Sequence, residues 1–261
     1  MKRAVTRNAA GRISRSPKRV PRNTRKPNYR LMAWVFVASA MVACAAGFAV
    51  QTPLLRVRSI DITGVKLADG DAVRASVKYA LGQNILLVRK SPAIRSMDKI
   101  SEVASVRMGR TFPDRMWVEV RERKPFAVLS VGFSYFLMQS NGLVFHESRD
   151  PMPGLPIIEA SDIGQARVGG IPSCPDVSFA LEALKAAGHE GISVDKISID
   201  HAGNMCLNMD SNFCIRLGQP DEIARKMSLV HRALDSRPSY VEGEYFDVSA
   251  YPYQMVWKPK S

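Results

Sequence analysis

From Leu54 onward, apolar positions recur with two alternating periods. "LLRVRSIDITG" repeats every second residue: Val57, Ser59, Asp61 and Thr63 share one face, Arg58, Ile60 and Ile62 the other, up to Gly64. That is a strand closed by a turn. "DAVRASVKYAL" places Val73, Val77 and Leu81 at helical spacing, with Asp71 near the start and Gly82 as a stop. "NILLV" reads as a short extended segment. Ser91-Pro92 then predicts an N-cap and first-turn proline for a helix aligning Ile94, Met97 and Ile100. "VASVRMGRTF" and "RMWVEVRER" are two strands joined around Pro113-Asp114, with Met116, Val118 and Val120 inward and Trp117, Glu119 and Arg121 outward. Residues 54–124 therefore predict a small α+β domain in the order strand, helix, helix, strand, strand, with two helices covering one sheet face.

After Pro125 the period-two pattern dominates. "FAVLSVGFSYFLMQSNGLVFH" holds apolar strands around Asn141-Gly142, a hairpin signal, and "GLPII" adds a short strand. "DVSFALEALKAAGHEG" is an amphipathic helix aligning Val177, Leu181 and Leu184. "VDKISID", "NMCLNM" and "FCIRLG" follow as three strands. A second helix aligns Ile223, Met227, Val230 and Leu234, and "EYFDVS" and "YQMVW" are two final strands. Residues 125–257 predict a mainly antiparallel β domain with two helices, followed by a short tail, 258–261.

The N-terminal segment fits neither period. Residues 31–50, "LMAWVFVASAMVACAAGFAV", carry no charge. A helix of that length spans about 30 Å, the thickness of a bilayer's hydrocarbon core. The formal net charge of +13 is concentrated just before it: residues 1–30 hold 11 Lys/Arg and no acid, leaving 26 bases against 24 acids in the rest. A leader of that length and a run of 20 apolar residues exceed a cleaved signal peptide and predict an uncleaved signal-anchor helix. Basic residues mark the cytoplasmic flank, so the tail 1–30 is expected to be disordered and inside, and residues 51–261 outside. The basicity belongs to a tail and not to a folded surface, which argues against nucleic-acid binding.

Chemistry is sparse. The histidines, His146, His189, His201 and His231, show no metal-ligand spacing. There is no nucleophile elbow, no Ser-x-x-Lys pair and no phosphate-binding glycine loop. No catalytic residue, cofactor or small-molecule substrate is expected. Cys206 and Cys214 lie on adjacent strands, opposite each other and on the face of Asn208 and Arg216; a cross-strand disulfide and two half-buried thiols both remain open. Function is then expected in surfaces, above all at the last strands, where Tyr245, Phe246, Val248, Tyr251, Tyr253 and Trp257 crowd together. An exposed sheet edge recruits a partner by strand addition, and aromatics anchor interfaces.

The chain resembles the FtsQ/DivIB family of bacterial division proteins over roughly residues 30–257. The resemblance rests on "VRSIDITG", on "VASVRMGRTFPDRMWVEVRERKPFAVL" with its aromatic-Pro pair and Glu-Arg-x-Pro end, and on "SNGLVF", "LPII", "IRLG" with Lys226 downstream, and "YFDVS". It implies a POTRA domain over 54–124 and a β domain over 125–257. Gly64, Pro113, Glu122, Arg123 and Pro125 would shape the POTRA domain and its junction, and Tyr245, Asp247, Val248 and Ser249 would form the partner strand. The implied partners are FtsB/FtsL (DivIC)-type coiled-coil proteins, and the implied role is a non-enzymatic divisome scaffold in the cytoplasmic membrane at the septum. Ser249 stands where relatives often carry Arg, and Gln139 where they often carry Asp. A membrane-anchored POTRA adaptor for secretion or envelope assembly and an extracytoplasmic wall enzyme are the alternatives.

Overall fold

A computed structural model describes residues 29–51, 53–161, 163–209, 213–236, 243–250 and 256–259. Helix α1 (Tyr29–Gln51) belongs to one unit and residues 52–261 to another. The described side chains of α1, from Tyr29 to Cys44 with Gly47, are all exposed, Trp34 and Phe36 among them. Among the described residues no helix is long and apolar enough to cross a membrane. Most side chains between Ala45 and Val50, on which the expected 31–50 span depends, lie outside that set, as does the basic tail as far as Asn28.

The first domain has the predicted order: β1 (Ser59–Thr63), α2 (Gly70–Val77), α3 (Ser91–Met97), β2 (Val103–Thr111) and β3 (Arg115–Glu122). Its sheet runs β1-β3-β2, with β1 parallel and β2 antiparallel to the central β3. The alternation of β3 buries Met116, Val118 and Val120 against Val73, Val77, Ala93 and Met97 of the two helices. Three local expectations shift. "NILLV" is a turn and not an extended segment, closed by the Asn84 carbonyl accepting from Leu87 and Val88 and its side chain from Leu86. Ser91 is the first helical residue, with Lys90 at the N-cap and no side-chain cap. That helix ends at Met97, before Ile100, and buries Ala93 and Met97.

The second domain is one nine-stranded sheet in the order β12-β11-β10-β9-β8-β7-β4-β5-β6. Its strands are β4 (Ala127–Val131), β5 (Ser134–Met138), β6 (Val144–Ser148), β7 (Ile157–Ala160), β8 (Lys196–Ile199), β9 (Met205–Asn208), β10 (Cys214–Gly218), β11 (Gly243–Asp247) and β12 (Val256–Pro259). Five strand pairs are antiparallel, as expected, but β4–β7, β7–β8 and β10–β11 are parallel. Parallel neighbours need a long crossover, and helices α4 (Pro175–His189) and α5 (Ile223–Ser236) supply it for β7–β8 and β10–β11. Both helices bury one stripe on the same core: Val177, Leu181 and Leu184 from α4, Ile223, Met227, Val230 and Ala233 from α5. A further hairpin turns at Gly132-Phe133, between β4 and β5.

The junction between the sheets is short and heavily tied. The carboxylate oxygen Oε1 of Glu122 accepts from the backbone amides of Lys66, Leu67 and Ala68 at 2.7, 2.8 and 2.8 Å. This holds the loop after β1, and Leu67 from that loop packs against Val128, Leu137 and Phe145 of the second domain. Arg123 donates to the Ser101 carbonyl at 2.8 Å and to Gln139 at 3.0 Å, so one side chain grips both domains. Glu102 meets His146 Nδ1 at 3.0 Å across the same boundary. Pro125, which has no amide hydrogen to donate, falls between the end of β3 and Phe126, whose amide already bonds to Met138 in the new sheet at 2.7 Å.

Candidate partner-binding edge

β10 and β11 meet in parallel, with Cys214 opposite Tyr245, Ile215 opposite Phe246 and Arg216 opposite Asp247. Because side chains alternate, the strands divide cleanly into two faces. Ile215, Leu217, Phe246 and Val248 turn to the helices and are fully buried or nearly so. Phe246 meets Phe213 edge-on, ring centres 5.2 Å apart. On the other face lie Cys214, Arg216, Tyr245 and Asp247, half-buried or exposed. The Arg216 guanidinium carbon sits 4.0 Å from the centre of the Tyr245 ring, a cation over an aromatic face.

The four residues expected to form a partner strand are thus separated. Tyr245 and Asp247 face outward. Val248 does not: its side chain is fully buried and its amide bonds to the Arg216 carbonyl at 2.9 Å, so it belongs to the core. Ser249 is exposed just beyond β11, where its amide and hydroxyl donate to Asp247 Oδ1 at 2.9 and 2.6 Å. Gly218 lies against it: with φ near +67°, any Cβ there would stand 2.6 Å from the Ser249 Cβ.

β11 is also not the outermost strand. β12 pairs antiparallel with it, Phe246 opposite Trp257 and Asp247 opposite Val256, and runs through Pro259 into what was expected to be tail. Among the described residues no strand lies beyond β12, so its outer row of backbone groups is the open edge of the sheet. Tyr251, Tyr253 and the side chain of Trp257 lie outside the described set.

This edge is braced from behind by Lys226 of α5, whose side chain is entirely buried. Its ammonium donates to the Leu217 and Gln219 carbonyls at 2.9 and 3.0 Å and to Asp221 at 2.6 Å, pinning the end of β10 to the helix. The bond from Lys226 holds the Asp221 carboxyl below its ordinary range. The sequence marked Lys226 only as part of a motif; a lysine among the apolar positions of a helix is the signal that locates it.

On the outward face Cys206 and Cys214 are joined in a disulfide, Cα atoms 6.4 Å apart. They are not directly opposite as expected. Cys214 pairs with Asn208 and Cys206 with Arg216, so the bridge runs diagonally between β9 and β10.

Among the described residues no group of three or more His, Cys, Asp or Glu could hold a metal ion. His231 pairs with Asp235 one turn away at 3.2 Å. The Asp200 carboxylate closes a turn on the amides of Ala202 and Asn204.

Of the residues expected to shape the first domain, Gly64 has φ near +88°, and a Cβ on it would stand 2.1 Å from the Val120 carbonyl oxygen. Pro113 follows a cis peptide bond in the β2–β3 turn. Glu122, Arg123 and Pro125 sit at the junction described above.

Residues 55–123 match the model for the POTRA domain of the FtsQ type. Over 92% of its length the chain is 27% identical to the cell division protein FtsQ of Anaeromyxobacter sp. (strain K), covering 84% of that protein. It is 25% identical to the FtsQ of Neisseria gonorrhoeae, over 84% of this chain and 89% of that one. The cell division protein DivIB of Clostridium acetobutylicum is 20% identical, over 76% and 81%. With the POTRA order of elements, the Glu-Arg-x-Pro junction and the sheet-rich second domain all in place, the chain is similar over most of its length to the FtsQ/DivIB family of bacterial cell division proteins.

Proposed function

We propose that this cell division protein is a non-enzymatic scaffold of the divisome. It is anchored in the cytoplasmic membrane by α1, with the basic tail inside and residues 52–261 outside. The open edge at β12 and the outward face of β11 hold an FtsB/FtsL (DivIC)-type coiled-coil partner, and through it help couple assembly of the division site to septal wall synthesis. The observation that carries this reading is the pairing of an open edge with an aromatic, Arg-stacked side chain beside it. An open edge supplies backbone hydrogen bonds, and alternate side chains supply the choice of partner.

Tyr245 is the contact residue on β11, Asp247 and Ser249 shape the turn beside it, and Val248 acts through the core. Tyr245→Lys should abolish co-purification with the partner while leaving thermal unfolding unchanged, because Tyr245 is off the core. A variant that still co-purified at wild-type yield would remove β11 from the interface.

A further inference from the structure

The face that carries Tyr245 also carries the Cys206–Cys214 bridge. Cys214 lies in register with Tyr245 across β10 and β11, and Cys206 with Arg216 across β9 and β10. Arg216 in turn lies over the Tyr245 ring. The bridge therefore ties Cys214, the residue in register with Tyr245, to Cys206, the residue opposite Arg216. Both half-cystines are half-buried and not sealed. Cys206 forms part of the wall of an open recess of about 490 Å³, together with Ser198, Arg216, Asp247 and Ser249.

The closed loop is short, eight residues apart on strands that already pair. A cross-link restrains the unfolded chain more as its loop lengthens, so global stability is the smaller part of what this one contributes. Its local effect is on the β9–β10 register, which becomes irregular between Arg216 and Gly218, at the end of the β10–β11 pairing.

We propose that Cys206–Cys214 is a thiol–disulfide exchange site whose oxidised form fixes the β10–β11 face and whose reduction by a dithiol loosens it. The chemistry stands on the bridge and the recess alone; its consequence for docking rests on the scaffold reading above. A thiolate of the dithiol attacks the Cys206 sulfur from the recess, the S–S bond breaks, and Cys214 departs as a thiolate that takes up a proton. The second thiol then attacks the mixed disulfide, releasing Cys206 as a thiol and leaving the reductant as a disulfide. Two electrons and two protons pass from the dithiol to the bridge. Arg216, on the same face, lies opposite Cys206 and two residues along β10 from Cys214.

The test uses the full chain in detergent. Alkylation with iodoacetamide after denaturation, read by intact mass, should add two groups without reductant, at Cys44 and Cys174, which are free. Four should be added after dithiothreitol treatment in native buffer. Four without reductant, or two after native reduction, overturns the proposal. Amide hydrogen exchange in β10 and β11 should quicken at least tenfold on reduction, with β2 and β3 unchanged, and the untreated Cys206→Ser/Cys214→Ser double variant should match the reduced chain. Unchanged exchange in β11 overturns it. Partner affinity at least tenfold weaker in the reduced form supports it, and equal affinity in both forms overturns it. Binding in neither form sinks the scaffold reading instead, and the exchange result then decides this proposal by itself.

Discussion

Glu122 and Lys226 do comparable work by opposite charges, and they respond differently to loss. Burial works to raise the Glu122 carboxyl, but the amides of Ala68, Lys66 and Leu67 outweigh it and hold the group below its ordinary value of 4.5. A carboxyl lowered on folding adds stability that is fully present above its unfolded value and is lost as pH falls through the folded one. Glu122→Gln should therefore flatten the decline of urea-unfolding stability below pH 4.5 and cost about 2 kcal/mol at neutral pH, from weakened charge-assisted bonds. An acid limb as steep as the wild type's would show that the three amides do not hold the charge. Lys226→Met keeps the volume but strands the Leu217 and Gln219 carbonyls. Asp221, largely exposed, rehydrates freely, so the expected loss is about 2 kcal/mol and not the larger cost of an orphaned buried charge. Thermal melting checks it. The sequence marked Glu122 as structural through its motif. The amides it holds lie 54 to 56 residues earlier, a pairing no local spacing encodes.

At the scale of elements, the alternation along β11 gives two variants that ought to behave oppositely. Phe246→Ala empties a buried site against Phe213 and should cost about 3–5 kcal/mol of unfolding stability by calorimetry, whereas Tyr245→Lys, one residue away, should leave the melting curve in place. Equal destabilisation by both would mean that the two faces are wrongly divided. Most elements were legible because their periods are strong. The strands β1, β2 and β3 and the stripes of α4 and α5 stand where the pattern put them. What the pattern missed was how strands pair. Ile215 and Phe246 read alike whether β10 and β11 run parallel or antiparallel, and only the α5 crossover decides. The same gap hid the stacking of Arg216 on Tyr245, since nothing in the pattern makes β10 and β11 neighbours. "NILLV" failed for another reason: Asn84 accepts from its own successors, and that local turn overrides the β preference of the apolar residues after it.

For the whole molecule, the junction is the decisive feature. Leu67, Arg123 and the Glu102–His146 contact bind two separately cored domains into one unit. The double variant Leu67→Ser/Arg123→Ala should convert a single calorimetric unfolding transition into two, and a single transition retained would show that the sheets are coupled elsewhere. An N-terminal fluorescent fusion should form a band at the division site; a uniform outline at every stage would remove the septal assignment. The order of strands in space also sets an order in time. β11 and β12 follow every other described strand along the chain, yet they form the rim proposed to take a partner. A ribosome that stops before residue 243 leaves a product with its POTRA sheet finished and its recruiting rim unmade. If that rim takes the partner as proposed, a chain truncated before β11 should fold its first domain and still fail to bind.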